Sequence, residues 1–97
     1  MDRSFEHRGN TFVWDGAKAV ANMHKHGITF EEAATVFSDP TFKFQDASRN
    51  DEGREAAIGL SSRGRLLMVV HIEVEGDHIR IISARRATVP EELFYDQ

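Results

Sequence analysis

Ile79-Arg80-Ile81-Ile82-Ser83-Ala84-Arg85-Arg86 is an apolar run that ends in two adjacent arginines. Isoleucine is among the residues most enriched in strands, so the run predicts a buried β-strand. A strand fixes the position of its last side chains, and a guanidinium group presents planar donors that match the oxygens of a carboxylate or a phosphate. The run therefore predicts a core strand that carries an anion site at its end.

Side chains alternate between the two faces of a strand, and this alternation predicts which residues of the run share a face. The residues predicted for one face are Ile79, Ile81, Ser83 and Arg85. Those predicted for the other face are Arg80, Ile82, Ala84 and Arg86. Only one of the two terminal arginines can then lie beside the Ser83 hydroxyl, and that arginine is Arg85.

The residues on either side of this run predict an α+β fold. Residues 1–11 lack periodicity and are expected to be a flexible lead-in, whereas residues 12–97 are expected to form a single domain. The predicted strands comprise residues 11–14, 41–45, 55–61, 66–74 and 78–85. Tight turns between the later strands require antiparallel pairing. The prediction is an antiparallel sheet of about four to five strands, covered by two N-terminal helices, with a short C-terminal helix.

Capping residues predict where the helices begin and end. Asp15 is placed to cap a helix over residues 16–26, and Gly27 to end it. The predicted apolar face of this helix comprises Ala17, Val20, Ala21 and Met23. Thr29 with Glu32, and Thr88 with Glu91, have the spacing of capping boxes, which predicts that two further helices begin there.

Composition limits the class of protein. With 97 residues, 40% of them hydrophobic and 29% charged, the chain resembles an ordinary one-domain globular protein. The absence of cysteine excludes disulfides and thiolate zinc sites, and no apolar run suits a membrane helix or a signal peptide, so a cytoplasmic location is expected. A net charge of −4 argues against general nucleic-acid binding, but residues 54–88 hold six arginines against four acidic residues, which permits a local basic patch.

His24-Lys25-His26, in the last turn of the first predicted helix, has two interpretations. Positive charge near a helix C-terminus complements the helix dipole, which is a structural role. Histidine and lysine in this position also suit a general acid and a phosphate contact. His24 and His26 are two residues apart and do not share a helix face, and no further ligands cluster with them, so no metal site is expected.

The arginines likewise have two interpretations. Several guanidinium groups around one phosphate stabilise the charge that develops in phosphoryl transfer. Alternatively, arginines at strand ends pair with acidic residues, for which Asp15, Glu31 and Glu32 are candidates. The sequence leaves both roles open for each arginine.

Three segments, in this order, resemble one known protein family. They are Asp15-x-x-Lys18-x-x-x-Asn22-x-x-Lys25-His26-Gly27, then Phe30-Glu31-Glu32-Ala33-x-x-Val36-Phe37 with Asp39-Pro40, then Arg80-Ile81-Ile82-Ser83-Ala84-Arg85-Arg86-Ala87. Together they are similar to the BrnT toxin family over about residues 12–97. The resemblance implies a RelE-like fold and a toxin of a type II toxin–antitoxin system.

The resemblance also implies an activity, a site and partners. The implied activity is metal-independent endoribonuclease cleavage without a cofactor, in which the RNA 2′-hydroxyl attacks its own phosphate and growth is arrested. The implied catalytic residues are Lys25, His26 and Arg85, and the implied substrate-binding residues are Arg65, Arg80, Ser83 and Arg86. The implied partners are the RNA substrate and a BrnA-like antitoxin, with which the chain forms a hetero-oligomer. No membrane partner is implied. Operator DNA is contacted only through the antitoxin's DNA-binding domain.

One departure from the family pattern keeps a second hypothesis open. Family members often carry a basic stretch after the Ala-Arg-Arg-Ala run, whereas this chain has Glu91, Glu92 and Asp96 there. The acidic end favours a non-catalytic binding module, or a corepressor that acts with a DNA-binding partner. Lys25, His26 and the arginines favour the enzyme.

Overall fold

The chain folds into one six-stranded mixed sheet with three α-helices, in a computed structural model that describes residues 1–48, 53–74 and 76–97. Its strands are β1 (Asp2–His7), β2 (Asn10–Asp15), β3 (Lys43–Asp46), β4 (Glu55–Leu60), β5 (Leu66–Val74) and β6 (His78–Arg86). Its helices are α1 (Gly16–His26), α2 (Phe30–Thr35), which continues into a 3-10 turn at Val36–Ser38, and α3 (Val89–Tyr95). Within the described residues, no helix has both the length and the apolar character that a membrane span requires.

The strand order across the sheet is β1-β2-β6-β5-β4-β3. Neighbouring strands are antiparallel except β2 and β6, which run parallel where Thr11–Val13 lies beside His78–Arg80. The prediction of a purely antiparallel sheet of four to five strands is therefore wrong in both strand count and direction. Periodicity reports on local structure, and it contains no signal for the pairing of segments as far apart as β2 and β6.

Strand β1 lies in the segment for which the sequence predicts a flexible lead-in, so that prediction is wrong. It pairs with β2 through a hairpin whose turn residues, Arg8 and Gly9, both have positive φ, at 49° and 85°. Such a two-residue turn matches the twist of antiparallel strands. β1 is an exposed edge strand in which Phe5 packs against the core, so its sequence shows too little apolar alternation to be recognised.

The ends of α1 and α3 confirm their predicted caps. Asp15 accepts a hydrogen bond from the Lys18 backbone N–H (3.0 Å), and Gly27 follows α1 with a left-handed φ of 70°, which glycine adopts without strain. At α3, Thr88 and Glu91 exchange the two hydrogen bonds of a capping box. Caps are local features, and the sequence locates these helix ends correctly.

At the start of α2, one half of the predicted capping box forms. The Thr29 hydroxyl accepts a hydrogen bond from the Glu32 backbone N–H (3.1 Å). The Glu32 carboxylate instead binds the Arg65 guanidinium, and it accepts a hydrogen bond from the Ser61 hydroxyl (2.8 Å). A buried carboxylate needs a cation and hydrogen-bond donors, so the distant partners replace the local one.

The two faces of the sheet are covered differently. α2 and part of α1 cover one face, the inner face, as the prediction of two covering helices requires. The buried residues of this main core are Phe12, Trp14, Ile28, Phe30, Ala33, Ala34, Val36, Ala57, Leu67, Val69, Ile81 and Ala84. α3 lies on the opposite, outer face, where Phe94 and Tyr95 pack against Ala56, Ile58 and Met68. The C-terminal helix therefore closes a second, smaller core.

Strand β6 contains a β-bulge at Ile82. Ser83 pairs with Val70 of β5, but His71, the next residue of β5, pairs with Ile81. Ile82 is therefore left without a partner across this pair of strands. A bulge adds one residue to one strand and so reverses the alternation of the side chains that follow it.

The bulge changes which residues of β6 share a face. Ile81 and Ala84 both lie in the core beneath the helices, and Ile79 packs against that core. Ser83 and Arg85 pair with residues of β5 whose side chains lie on the outer face, so they lie on that face too. The prediction that Ser83 and Arg85 share a face is confirmed, whereas the prediction that Ile79 and Ile81 share it with them is wrong.

Candidate functional site

The second half of β6 has an edge that no strand covers in the described structure. β2 pairs with β6 only as far as Val13 and Arg80, after which the chain leaves the sheet at Asp15 and enters α1. α1 then lies against the remaining edge of β6. The backbone groups on this edge therefore need hydrogen-bond partners from a helix rather than from a strand.

Asn22 of α1 supplies these partners. Its Nδ2 donates to the Ala84 carbonyl (2.9 Å) and its Oδ1 accepts from the Ala84 N–H (3.0 Å), so one side chain binds both backbone groups of a strand residue. Nδ2 also donates to the Ile28 carbonyl (3.0 Å), just beyond the end of α1. Only 6% of Asn22 is exposed, and its three hydrogen bonds hold the end of α1 against β6.

This anchor differs from the apolar face that the sequence predicts for α1. Val20 and Met23 of that predicted face are 60% and 46% exposed. Asn22, between them in sequence, is the residue that points to the sheet. A polar residue in a helix is normally expected on the solvent side, which is why the sequence pattern did not identify Asn22 as an anchor.

α1 and the edge of β6 border a shallow, open cleft of about 210 Å³, the edge cleft. Its lining residues are Lys18, Ala21, Asn22, Lys25, His26, Ile82 and Ser83. Lys18, Asn22 and Lys25 follow one another at the spacing of residues that share a helix face, which explains why both lysines reach the same cleft. The structure thus brings the predicted site residues Lys25, His26 and Ser83 together and adds Lys18.

A second cleft, of about 420 Å³, opens on the outer face and is the outer cleft. Its lining residues are Ala47, Ser48, Arg54, Met68, Val70 and Ser83. Ser83 lines both clefts, which therefore meet at this residue. Sequence reasoning did not select Arg54, because no motif surrounds it and only the strand order β6-β5-β4 brings it toward Ser83.

Arg85 lies on the outer face and binds a carboxylate of α3. Its Nη1 and Nη2 donate to Oε1 and Oε2 of Glu91 (2.8 Å each), and Nη1 also donates to the Arg86 carbonyl (3.0 Å). The hydrogen bonds from Arg85 hold the pKa of Glu91 below its usual range, so this carboxylate is charged at neutral pH. Arg85 therefore has a partner within the chain, and the pair holds α3 on the sheet.

Arg65 and Arg80 also bind carboxylates. Arg65 binds Glu32 through two N–H groups, with Nε 2.9 Å from Oε2, and holds the pKa of this buried carboxyl below its usual range. Arg80 binds Asp2 at 2.7 and 3.3 Å and joins β6 to β1 across β2. Both arginines thus make the structural pairing that the sequence allowed, with Glu32 as one of the predicted partners.

The predicted site residues therefore fall into three groups. Lys25, His26 and Ser83 line the edge cleft, whereas Arg65, Arg80 and Arg85 bind carboxylates. Arg86 is exposed, and within the described part of the chain its guanidinium binds no carboxylate. Among residues 1–48, 53–74 and 76–97, no group of three His, Asp or Glu side chains is placed to hold a metal ion.

A sequence model of the family described as "Ribonuclease toxin, BrnT, of type II toxin-antitoxin system" matches residues 14–91. The chain belongs to the BrnT family. This membership confirms the resemblance of the three sequence segments. The BrnT range contains the edge cleft and the outer cleft in full, and also the Glu91 that binds Arg85.

A solved BrnT structure has a similar fold. The 1.1 Å crystal structure of the Brucella abortus ribonuclease toxin BrnT matches this chain with a TM-score of 0.63 and 25% sequence identity, over 77% of this chain and 92% of that chain. No curated protein sequence matches the chain significantly.

Proposed function

We propose that this BrnT-family chain is a metal-independent endoribonuclease whose reaction takes place in the edge cleft. The observation that carries the proposal is that Lys18, Lys25 and His26 line one cleft with the Ser83 hydroxyl. Cationic side chains attract the phosphates of a nucleic acid, and a histidine suits proton transfer near neutral pH. Family membership supports RNA as the substrate.

The proposed reaction is attack of an RNA 2′-hydroxyl on the adjacent phosphorus. The O2′–P bond forms while the P–O5′ bond breaks, which leaves a 2′,3′-cyclic phosphate and a 5′-hydroxyl. One group must take the proton of the 2′-hydroxyl, and another must protonate the leaving 5′-oxygen. We assign these proton transfers to His26 and Lys25, with Ser83 donating a hydrogen bond to a phosphate oxygen and Arg85 stabilising the pentacovalent phosphorus.

Arg85 takes this role only after a change of partner. A phosphate and the Glu91 carboxylate compete for the same two N–H groups, because both present paired oxygens to the guanidinium fork. Arg86, which is exposed, is assigned to a contact with another phosphate of the RNA. Arg65 and Arg80 are assigned to the fold, because their carboxylate partners already occupy their donors.

The type II family implies an antitoxin partner. We propose that this partner resembles BrnA, neutralises the toxin in a hetero-oligomer in the cytoplasm and carries the DNA-binding domain through which the complex contacts operator DNA. Purified complex should then cleave RNA far more slowly than the toxin alone does. An RNA cleavage assay of both samples measures this difference.

Cleavage by purified variants tests the catalytic assignment. We expect the wild type to cut RNA in the presence of EDTA and to leave cyclic phosphate ends. Lys25→Ala and His26→Ala should each lower the rate about 10²–10⁴-fold, because each removes a group that transfers a proton. His24→Ala is the matched control, since His24 lies in the same helical turn but outside the residues that line the cleft. Equal rates for the three variants, or no cleavage by the wild type, would refute the proposal.

A non-catalytic corepressor is the second candidate function. The observation in its favour is the Arg85–Glu91 pair, which neutralises the arginine at the end of β6. Under this alternative the wild type strengthens binding of the antitoxin to operator DNA and leaves RNA intact. A gel-shift assay with antitoxin and operator DNA, run beside the RNA cleavage assay, separates the two functions.

A further inference from the structure

Apart from Ser83, the residues of the outer cleft have no part in the proposed reaction. Its floor is formed by Met68 and Val70 of β5, and its walls by Ser48, Arg54 and Ser83. An apolar floor between a few polar walls is the usual composition of a site for a small organic group. At about 420 Å³ the outer cleft is twice as large as the edge cleft of about 210 Å³.

We propose that the outer cleft binds the nucleobase next to the cleaved phosphate, an inference that rests on the function proposed above. A base has two apolar faces and a polar rim, which match the apolar floor and the hydroxyl-bearing walls. Arginine guanidinium groups stack on bases or bind their edges in single-stranded RNA recognition, and Arg54 lines this cleft. The ligand class is therefore a base of single-stranded RNA.

Ser83 provides the connection between the two clefts. A phosphate bound by Lys25 and His26 in the edge cleft lies against the residue that also borders the outer cleft. A single sugar joins that phosphate to its base, so the base need only pass one side chain to reach the outer face. The bulge at Ile82 puts Ser83 in this position, because it turns Ser83 to the outer face.

Hydrogen bonds fix the wall of the outer cleft at the end of the β3–β4 hairpin. The Arg54 carbonyl accepts from the Ala47 N–H (3.0 Å) and from the Ser48 hydroxyl (3.0 Å). The Asp46 carboxylate accepts from the Ser48 N–H (2.8 Å). A wall that is already ordered loses little conformational freedom when a ligand binds, which favours binding.

An apolar side chain of the antitoxin is the competing occupant of the outer cleft. Anchors of protein partners insert into well-packed pockets from which charged groups are largely excluded. The outer cleft instead has an arginine and two hydroxyl groups in its walls and continues into a cleft lined by lysines. These features favour a strand of nucleotides.

Binding of an uncleavable RNA tests this subsite through a double-substitution cycle. The probe is a short single-stranded 2′-fluoro RNA, compared with versions in which one abasic position is moved along the strand. We expect one abasic position to weaken wild-type binding about tenfold, the scale of one stacked base. Ala47→Trp, which fills the cleft from its rim, should weaken binding of the intact RNA similarly and lose sensitivity to that abasic position. Arg54→Gln repeats the cycle without added bulk, and Ala17→Trp, in a separate groove, is the matched control.

The outcomes separate the subsite from the proposed reaction. Equal losses from the abasic position in the wild type, Ala47→Trp and Arg54→Gln would overturn the subsite. Weaker antitoxin binding in the two variants with unchanged RNA binding would also overturn it, because the cleft would then belong to the protein partner. If ordinary RNA is cleaved but the variants stay sensitive to the abasic position, the subsite alone is rejected. If the variants lose that sensitivity but the wild type cleaves no RNA, the reaction alone is rejected. If the protein binds no RNA, both are rejected. Circular dichroism identifies any variant that fails to fold.

Discussion

The basic side chains of α1 and the arginines of the sheet lie in different settings. The basic side chains of the edge cleft are Lys18, Lys25 and His26. The paired arginines are Arg65, Arg80 and Arg85. Within the described residues, no side chain of the first group pairs with a carboxylate, whereas every arginine of the second group does. A count of positive charges therefore does not locate a ligand site; the partners of those charges do.

The arginine pairs have a common structural effect. Arg65 ties β5 to α2, Arg80 ties β6 to the edge strand β1, and Arg85 ties β6 to α3. Each pair joins elements that are distant in sequence. Within the part of the chain that the structure describes, Lys25 and His26 form no ion pair, and basic side chains in the last turn of α1 complement the negative end of the helix dipole.

Asn22→Ala should have the largest effect, because it removes the support of the edge cleft. The change leaves the N–H and carbonyl of Ala84 and the carbonyl of Ile28 without their side-chain partner. Unsatisfied buried groups cost about 1–3 kcal/mol each, so we expect the free energy of unfolding to fall by about 3 kcal/mol. Urea unfolding measures the change. Met23→Ala, at an exposed position of the same helix, should cost less than about 0.5 kcal/mol, and equal losses in both variants would contradict the anchor role of Asn22.

Acid unfolding tests whether the Arg65–Glu32 pair belongs to the fold. Because Arg65 lowers the pKa of Glu32, the pair contributes its full stability above the ordinary Glu pKa of 4.5, and this contribution is lost as the pH falls through the lower folded value. Glu32→Gln should therefore be less stable at neutral pH and lose less stability on acidification. Burial lowers the pKa of His71, so both proteins also lose folding stability as the pH falls below 6.5. Denaturant midpoints over a pH series measure this, and parallel curves would exclude the proposed contribution of the pair.

Glu91→Gln should sharpen the comparison by removing the negative charge that neutralises Arg85. We expect RNA to bind about three- to tenfold more tightly, with a salt dependence that corresponds to about one additional phosphate contact. Fluorescence anisotropy at several salt concentrations measures both quantities. Glu92→Gln removes the same charge from the same helix without touching Arg85. An equal gain in RNA affinity in that variant would show that the effect comes from net charge alone.

Arg80→Gln should have the smallest effect. Its guanidinium is held by the exposed carboxylate of Asp2, and exposed ion pairs contribute little to stability. We expect the rate of RNA cleavage to change by less than about twofold, the scale of a weak surface interaction. If the variant is as stable as the wild type but cleaves RNA much more slowly, Arg80 belongs to the substrate-binding residues after all.

Local sequence signals predicted the helices of this chain better than its sheet. α1 spans the predicted residues because Asp15 and Gly27, which set its ends, act on their immediate neighbours. β1 lacks an apolar pattern, and the parallel contact of β2 with β6 joins segments from opposite ends of the chain. Such pairings depend on the packing of the whole chain, so no window of sequence contains them.

The candidate site shows the same division. The sequence pointed to Lys25, His26 and Ser83, and the structure brings these residues into one cleft. It did not identify Asn22 as the residue that holds the cleft together, because this role depends on hydrogen bonds to distant backbone groups. It also did not identify Arg54, whose place in the outer cleft is set by the order of the strands.

The unpaired Ile82 makes the exposed chemistry of β6 depend on how the strand pairs as well as on its residues. A strand repeats every two residues, so one unpaired residue is half a period, and every later side chain lies on the face opposite to the one that simple alternation gives it. In a strand of the same length without the bulge, Arg85 would point into the layer beneath the helices and Ala84 toward the outer face, with no residue exchanged for another. Deletion of the one bulged residue would instead leave both side chains on their present faces. The surface of this strand therefore depends on whether its extra residue is bulged out of the ladder.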